Sequence, residues 1–296
     1  MKLIIQPDAG IKPLLTAVRR AKRTIDLVIF RFDLGLLEAE IEAAVRRGVV
    51  VRALITYTNR GGDKGLRKLE QRMLAHGVQV CRTQDDLVRY HGKVLIVDRR
   101  RAYILGFNYT AADLKCRSFG VIVRSRRVIK ELLRLFDSDA NRNPYTPMVR
   151  DLVISPENAR RRLEAFLSKA RKTIDIYDPQ VSDDEMLALL QRRVEKGVRV
   201  RIIGKLEKKW SDAGFELQPF AGGKLHVRAI IRDGRRAFVG SQSLRKLELD
   251  ERREVGIIVR EPVVVRRLQK IFEFDWRNAG GGKSRRTKEK TLRKAA

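Results

Sequence analysis

Residues 91–98 read HGKVLIVD and residues 226–233 read HVRAIIRD, so one short pattern occurs twice in the chain. Each copy has a histidine, a cation two residues later and an aspartate five residues after the cation. In a β-strand, residues i and i+2 project from the same face. Each copy therefore directs an imidazole and a cation into one space, and two facing copies would form a site for a phosphodiester.

A glycine-containing turn follows each copy. Gly106-Phe107-Asn108 follows the first and Gly240-Ser241-Gln242 follows the second. We expect Asn108 and Gln242 to bring an amide donor towards the imidazole and the cation. The chain has three histidines, and two of them lie in these motifs. The third, His76, precedes a glycine at a predicted helix end, where a capping role is expected.

The pattern resembles the HxKx4D motif of the phospholipase D superfamily, whose members carry two copies in one chain or across a dimer. The first copy matches that pattern in full. The second departs from it at Arg228, where lysine is usual, and at Gln242, where asparagine is usual. A single copy would be weak evidence, but a duplicated motif with a glycine turn after each copy is strong evidence.

The resemblance implies a chemical role for each motif residue. One histidine attacks phosphorus and forms a phosphohistidine, and the other protonates the leaving alcohol and then activates water or an acceptor alcohol. We assign the attack to His91 and the acid–base role to His226, because the first half holds the unmodified motif. The residues expected to bind the phosphate oxygens are Lys93, Asn108, Arg228 and Gln242.

Each imidazole also needs a carboxylate to orient it. Glu254 lies where the family often carries such an acid, whereas Ser118 occupies the repeat-equivalent position in the first half. Asp98 and Asp233 follow their strands, so a structural role in a turn or salt bridge is expected of them. The remaining acids have no other candidate metal ligands near them in the sequence. We therefore predict chemistry without a metal or another cofactor.

The motifs lie within an internal repeat that covers most of the chain. Residues 4–8 and 21–27 align with residues 153–157 and 170–176 at one constant offset. Each half alternates short apolar strands with helices. This predicts an α/β fold of two repeated sandwich halves, each with a mixed sheet flanked by helices, related by a pseudo-twofold with the site between them.

The predicted boundaries follow the Pro- and Asn-containing segment 141–147. We predict a first half over residues 1–145, a second half over residues 150–278 and a basic, disordered tail over residues 279–296. Ser155 is predicted to cap a helix over residues 158–170. The predicted strands of the first half are residues 25–30, 49–56, 78–81, 93–97 and 102–105. The other predicted helices are residues 37–47, 65–76, 186–196 and 262–276.

The composition indicates an anionic partner. The chain of 296 residues has 65 Lys and Arg against 36 Asp and Glu, a net charge of +29, whereas a soluble surface commonly needs about 2–8. Such a charge favours an anionic phospholipid or membrane surface, with nucleic acid as the alternative. Since both motifs lie in one chain, a monomer is sufficient for a complete site.

The sequence predicts a cytoplasmic protein with, at most, peripheral membrane contact. It has no run of 18 or more apolar residues, and its first apolar stretch is too short for a signal peptide. Cys81 and Cys116 are expected to be free thiols. Their distance in sequence from other candidate ligands argues against a zinc site.

The resemblance therefore implies a phosphodiesterase or phosphatidyltransferase acting on phospholipids, similar to phospholipase D and cardiolipin synthase. One alternative is a metal-independent nuclease of the same superfamily, for which the 6% aromatic content offers few stacking platforms. Another is a non-catalytic module that binds anionic lipid or nucleic acid, an alternative that the altered second motif leaves open. Because the two enzymes share their chemistry, the sequence leaves the substrate open.

Overall fold

The computed structural model describes the backbone of residues 1–59 and 62–292 and, within these, the side chains up to residue 279. The strands of the first half are β1 (Lys2–Gln6), β2 (Thr24–Ile29), β3 (Val50–Ile55), β4 (Gln79–Arg82), β5 (Arg89–Tyr90), β6 (Val94–Val97), β7 (Arg101–Leu105) and β8 (Ser118–Val123). Its helices are α1 (Lys12–Arg19), α2 (Gly35–Arg46), α3 (Lys64–Ala75), α4 (Ala111–Leu114) and α5 (Arg126–Asn141).

The second half repeats this sequence of elements. Its strands are β9 (Leu152–Ser155), β10 (Thr173–Val181), β11 (Arg199–Leu206), β12 (Glu216–Gln218), β13 (Arg228–Arg232), β14 (Arg236–Gly240) and β15 (Arg252–Val259). Its helices are α6 (Ala159–Leu167), α7 (Asp184–Glu195) and α8 (Pro262–Leu292).

The two sheets have the same strand order. The first runs β1-β8-β7-β6-β2-β3-β4, and the second, read from β9, runs β9-β15-β14-β13-β10-β11-β12. Each combines parallel pairs, such as β2 with β3, and antiparallel pairs, such as β6 with β7. The predicted α/β fold of two repeated halves with mixed sheets is therefore confirmed.

One hydrophobic core joins the two halves. It combines buried residues of the motif strands, such as Ile96 of β6 and Ala229 of β13, with Leu132 of α5 and Leu268 of α8. Two further cores lie within the individual halves. Because the sheets are covered by apolar packing on both faces, a strand such as β6 is apolar at every position. The shared core holds the two motif strands in a defined relation.

One local prediction differs from the structure. Ser155 does not cap a helix: it is the fully buried last residue of β9 and pairs with Glu254, because the apolar run before it continues the sheet. Helix α8 is assigned through Leu292, and the predicted basic tail over residues 279–296 stays a prediction. Lysine, arginine and glutamate are good helix formers, which offsets glycines that each cost about 1 kcal/mol. Residues 293–296 lie outside the described part of the chain.

Three further predictions concern the linker, the cysteines and membrane-spanning helices. No helix or strand is assigned between the end of α5 and the start of β9, and the predicted boundaries of the halves stay a prediction. Cys81 is exposed, Cys116 is buried, and both are free. Among the helices of the described residues, none combines the length and apolar character that crossing a membrane requires.

Candidate active site

The two motif histidines lie where the halves meet. The backbone N–H of His91 donates to the carbonyl of Arg253 at 2.7 Å, and that of His226 donates to the carbonyl of Arg117 at 3.0 Å. Both bonds cross from one half to the other. His226 lies close enough to His91 that protonation of His226 would lower the pKa of His91. The structure thus brings both imidazoles into one site, each positioned by the opposite half.

His91 is held by Glu254 and Phe30. Its Nδ1 lies 2.8 and 2.9 Å from the two carboxylate oxygens of Glu254, and the ring of Phe30 packs edge-on with centroids 4.3 Å apart. Donation from Nδ1–H to the carboxylate leaves the lone pair on Nε2 free. Burial, together with the charges of Lys93 and Arg228, holds the pKa of His91 well below its usual value. The ring is therefore neutral at pH 7, as a nucleophile requires.

Lys93 lies beside this pair and is 1% exposed. Its Nζ donates to the carbonyl of His91 at 2.6 Å and lies 2.9 Å from the Nδ1 atom. Burial lowers the pKa of Lys93 to about 7, against the attraction of Glu254. Burial likewise raises the pKa of Glu254 to about 7, although Lys93 opposes this. A phosphate oxygen bound here would stabilise the charged lysine.

His226 faces Asp113, a residue that the sequence analysis missed. Asp113 Oδ1 lies 3.1 Å from His226 Nδ1. Its other oxygen accepts hydrogen bonds from the backbone and side-chain nitrogens of Asn108, at 2.8 and 2.6 Å. Asn108 therefore holds this acid in place, whereas we expected its amide to serve the phosphate. The available signal was the helix-capping pair Thr110 and Asp113, directly after the first motif.

Charge and burial act in opposite directions on this second pair. Burial opposes the ionisation of Asp113, but the contact with His226 and the hydrogen bonds from Asn108 outweigh it and hold the pKa of Asp113 well below its usual value. Burial lowers the pKa of His226, and the charge of Arg228 adds to this effect, although Asp113 opposes it. An ionised acid thus faces an imidazole that is neutral at pH 7.

Ser118 takes a different role from Glu254, although the two are equivalent in the repeat. Gly120 of β8 pairs with Leu105, as Gly256 of β15 pairs with Gly240, which places Ser118 and Glu254 at matching positions. Ser118 Oγ donates to the carbonyl of His226 at 3.0 Å. The carboxylates of the two histidines therefore come from different elements, β15 and α4.

The sheet register corrects the expected role of Gln242. Arg228 pairs with Gly240, as Lys93 pairs with Leu105. Counting onward from these pairs, Asn108 is equivalent to Ser243, one residue beyond Gln242. The expected match of Gly106 with Gly240 is therefore one residue out of register. Gln242 is buried, and its side-chain N–H donates to the carbonyl of Val153 in β9 at 2.8 Å. Its amide is therefore bonded to a strand of the sheet.

Arg228 enters the site at the position of Lys93. Its Nε donates to Ser243 Oγ at 3.1 Å, which leaves the end of the guanidinium for other partners. Its Nη1 is buried and makes no hydrogen bond within the described part of the chain. A buried donor without a partner costs about 1–3 kcal/mol. A phosphate oxygen would satisfy it, and a guanidinium suits that geometry.

Two further charged groups lie near the site and were also missed from the sequence. Arg252 donates to Glu248 at 2.9 Å, and its charge lowers the pKa of both His91 and Lys93. Asp178 is buried and accepts from the backbone N–H of Leu244. Burial raises the pKa of Asp178 to about 6, although Arg228 opposes this. They come from elements outside the motifs, so only tertiary structure reveals them.

Asp98 and Asp233 occupy matching turns at the far ends of the motif strands. Asp98 accepts from the backbone N–H groups of residues 22–24, and Asp233 accepts from those of residues 171–173. Both have φ above +50°, as in a tight left-handed turn. Each carboxylate joins its hairpin to the loop before the neighbouring strand and lies away from the histidines.

Paired neutral imidazoles, each facing a carboxylate and surrounded by cations, form a site built for phosphoryl chemistry. This site, formed between two similar α/β halves, is the arrangement expected of the phospholipase D superfamily. The chain belongs to that superfamily: the family model described as cardiolipin synthase, PLD-like domain, matches residues 14–140 and 163–276.

Solved structures share this fold. Polyphosphate kinase from Porphyromonas gingivalis aligns over 93% of this chain and 47% of its own length, with a TM-score of 0.76 and 18% identity. The chain thus spans about half of that enzyme. Phosphatidylserine synthase from Haemophilus influenzae Rd KW20 aligns over 94% of this chain and 86% of its own length, with a TM-score of 0.72 and 10% identity. No curated protein matches the sequence.

Proposed function

We propose that the chain is a phosphodiesterase or phosphatidyltransferase that acts on phospholipid phosphodiesters through a phosphohistidine. The observation that supports this most directly is the pair of neutral histidines, each with Nδ1 facing a carboxylate from the opposite half. The family match to the cardiolipin synthase domain supports a lipid substrate. The net charge of +29 supports peripheral contact with an anionic membrane surface from the cytoplasm.

In the first step, His91 Nε2 attacks phosphorus and the bond to the leaving alcohol breaks. Lys93 and Arg228 hold the non-bridging oxygens, where fixed positive charge stabilises the transition state. His226 gives a proton to the leaving oxygen. Its protonated form is favoured by ionised Asp113 and by the bound phosphate, whose charge offsets that of Arg228.

In the second step, the neutral His226 takes a proton from water or an acceptor alcohol. The oxygen attacks phosphorus, the phosphorus–nitrogen bond breaks, and His91 returns to its starting state. Water gives hydrolysis, and an alcohol gives transfer of the phosphatidyl group. Both steps use only side chains of this chain.

The purified protein should cleave phosphatidylglycerol vesicles and a nitrophenyl phosphodiester at least as well with excess EDTA as without it. Neither step passes through a metal ion, so chelation removes no participant. Release of the headgroup and of nitrophenol measures the two reactions. If EDTA abolishes both and a divalent cation restores them, the histidine mechanism is wrong.

A nuclease of the same superfamily is the second candidate, and a basic groove favours it. Two adjoining cavities of about 650 and 980 Å³ share Arg20, Arg101 and Tyr103. Their only acidic lining residues among the described ones are Asp8 and Asp98, and the latter is occupied by backbone N–H groups. The cations of the basic groove are Lys2, Lys12, Arg19, Arg20, Lys22, Arg47, Arg100, Arg101, Arg124 and Arg267.

If the basic groove holds a nucleic acid strand, Arg20→Glu with Arg100→Glu should weaken binding of single-stranded DNA at least about tenfold. It should also lower the salt slope by about 2, one for each lost phosphate contact. Turnover of a nitrophenyl diester should not change, because the groove lies at the far end of the β6–β7 hairpin. The matched control is Arg161→Glu with Arg192→Glu, two exposed cations of the second half. Equal losses in both variants would mean that only net charge matters.

A further inference from the structure

A buried thiol lies against the second histidine and has no part in the mechanism above. The ligand atoms of Asp113, Cys116 and His226 all lie within 4.8 Å of one another. Cys116 is 2% exposed, and its Sγ lies 3.2 Å from the carbonyl oxygen of Ala112. The sequence argued against a zinc site because Cys116 and His226 are far apart in the chain; the fold brings them together.

The contact between Asp113 and His226 does not satisfy the ring nitrogen of His226. Although Asp113 Oδ1 lies 3.1 Å from His226 Nδ1, that nitrogen is buried and makes no hydrogen bond of good geometry within the described residues. Asp113 lies in the short helix α4, and Cys116 follows the end of that helix by two residues, its backbone N–H donating to the carbonyl of Asp113 at 3.1 Å. They therefore present an oxygen and a sulfur to the same side, opposite the imidazole of the other half.

We propose that Asp113, Cys116 and His226 form an inhibitory site for Zn²⁺. Thiolate sulfur, imidazole nitrogen and carboxylate oxygen are the three ligand types that zinc takes in proteins, and three protein ligands leave a fourth position open. On binding, the Cys116 thiol releases its proton to solvent and forms a bond to zinc, with no change of oxidation state.

Charge balance at the site permits this binding. Lys93 and Arg228 face His226, and Lys224 lies near Cys116; all three oppose an added cation. The thiolate and the carboxylate together contribute two negative charges directly to the metal. Zinc needs this anionic thiolate, so a thiol-free chelate of Asp113 and His226 alone would be too weak against those cations.

A filled site would stop the reaction at the acid–base residue. Zinc on Nδ1 replaces the contact between His226 and Asp113 and holds the ring as the Nε2–H tautomer. That ring cannot become an imidazolium, so it is too weak an acid for the leaving alcohol, and it has no free nitrogen lone pair to take a proton from water. This inhibition rests on the proposed function, whereas metal binding does not. The two can therefore be tested separately.

The binding test uses Co²⁺ as a spectroscopic substitute for zinc. The full-length protein titrated with Co²⁺ should develop the near-ultraviolet band of a cobalt–thiolate bond, and zinc should abolish it. Cys116→Ser should lose the band, while Cys81→Ser, which changes the exposed cysteine, should retain it. In calorimetry, Cys116→Ser should weaken zinc binding at least about tenfold. Circular dichroism of each variant establishes that it is folded.

The activity test compares each protein with its own zinc-free rate on a nitrophenyl diester. Zinc should inhibit the wild type, EDTA should reverse the inhibition, and Cys116→Ser should be inhibited at least about tenfold less. The absence of a cobalt–thiolate band in the wild type, or equal zinc affinity in wild type and Cys116→Ser, overturns the site. A band in a protein that cleaves no diester supports the site and counts against the proposed function alone.

Discussion

His226→Ala, mixed with a nitrophenyl phosphodiester, should accumulate a covalent phosphohistidine on His91. Nitrophenol leaves without a proton, so the first step does not need His226. The second step does, because His226 is the residue that we propose activates water. Intact-mass spectrometry should show the added mass, and peptide mapping should place an acid-labile adduct on the segment around His91.

His91→Ala is the partner experiment and should form no adduct at all, with turnover at background level. The change removes the proposed nucleophile, whose ring contacts Glu254 and Phe30 in the wild type. An adduct found only in His91→Ala, and located on His226, would reverse the two roles. Turnover at the wild-type rate in both variants would refute the site.

Asp113→Ala should lower turnover by about 10,000-fold, the scale known for losing the acid that orients a catalytic histidine. Without it His226 loses its only carboxylate contact among the described residues, and with it the charge that stabilises the protonated ring. The loss should appear in kcat on phospholipid and, less strongly, on a nitrophenyl diester. The poorer leaving group depends more on the proton.

Ser118→Ala is the matched control for that experiment. Among the described residues, the Ser118 hydroxyl donates to the backbone carbonyl of His226 and not to its ring. The ring therefore stays oriented, and turnover should change less than about tenfold, since one neutral hydrogen bond contributes about 1 kcal/mol. A larger loss in Ser118→Ala than in Asp113→Ala would show that the repeat-equivalent position, and not α4, governs His226.

The fold was predictable because its signals are local and repeated. The apolar run at β6 and the glycine-bounded helices α2 and α3 appear directly in the sequence, and the repeat gives each signal twice. The prediction was wrong where two local structures, a helix cap and a strand end, compete for the same residue. Ser155 has the residue type of a helix cap, yet pairing with β15 decides its conformation, and the sequence alone does not weigh one against the other.

The site was predictable only where the motif itself supplies the residue. His91, Lys93, His226 and Arg228 follow from the i, i+2 alternation, and the structure brings these four together. Asp113 was missed because its partner lies in the other half. Gln242 was misassigned because the register of a hairpin depends on its strand pairing, which a count from the nearest glycine does not reveal.

The crossed arrangement of carboxylates has a consequence for whether either half could work alone. Each half supplies the acid for the histidine of the other, Glu254 from the second half and Asp113 from the first. The two halves meet the same need from different elements, β15 and α4, so a second copy of either half could not stand in for the other. A substitution at one of these carboxylates in one half acts on the histidine of the other. Each half alone would present a histidine without the carboxylate that faces it.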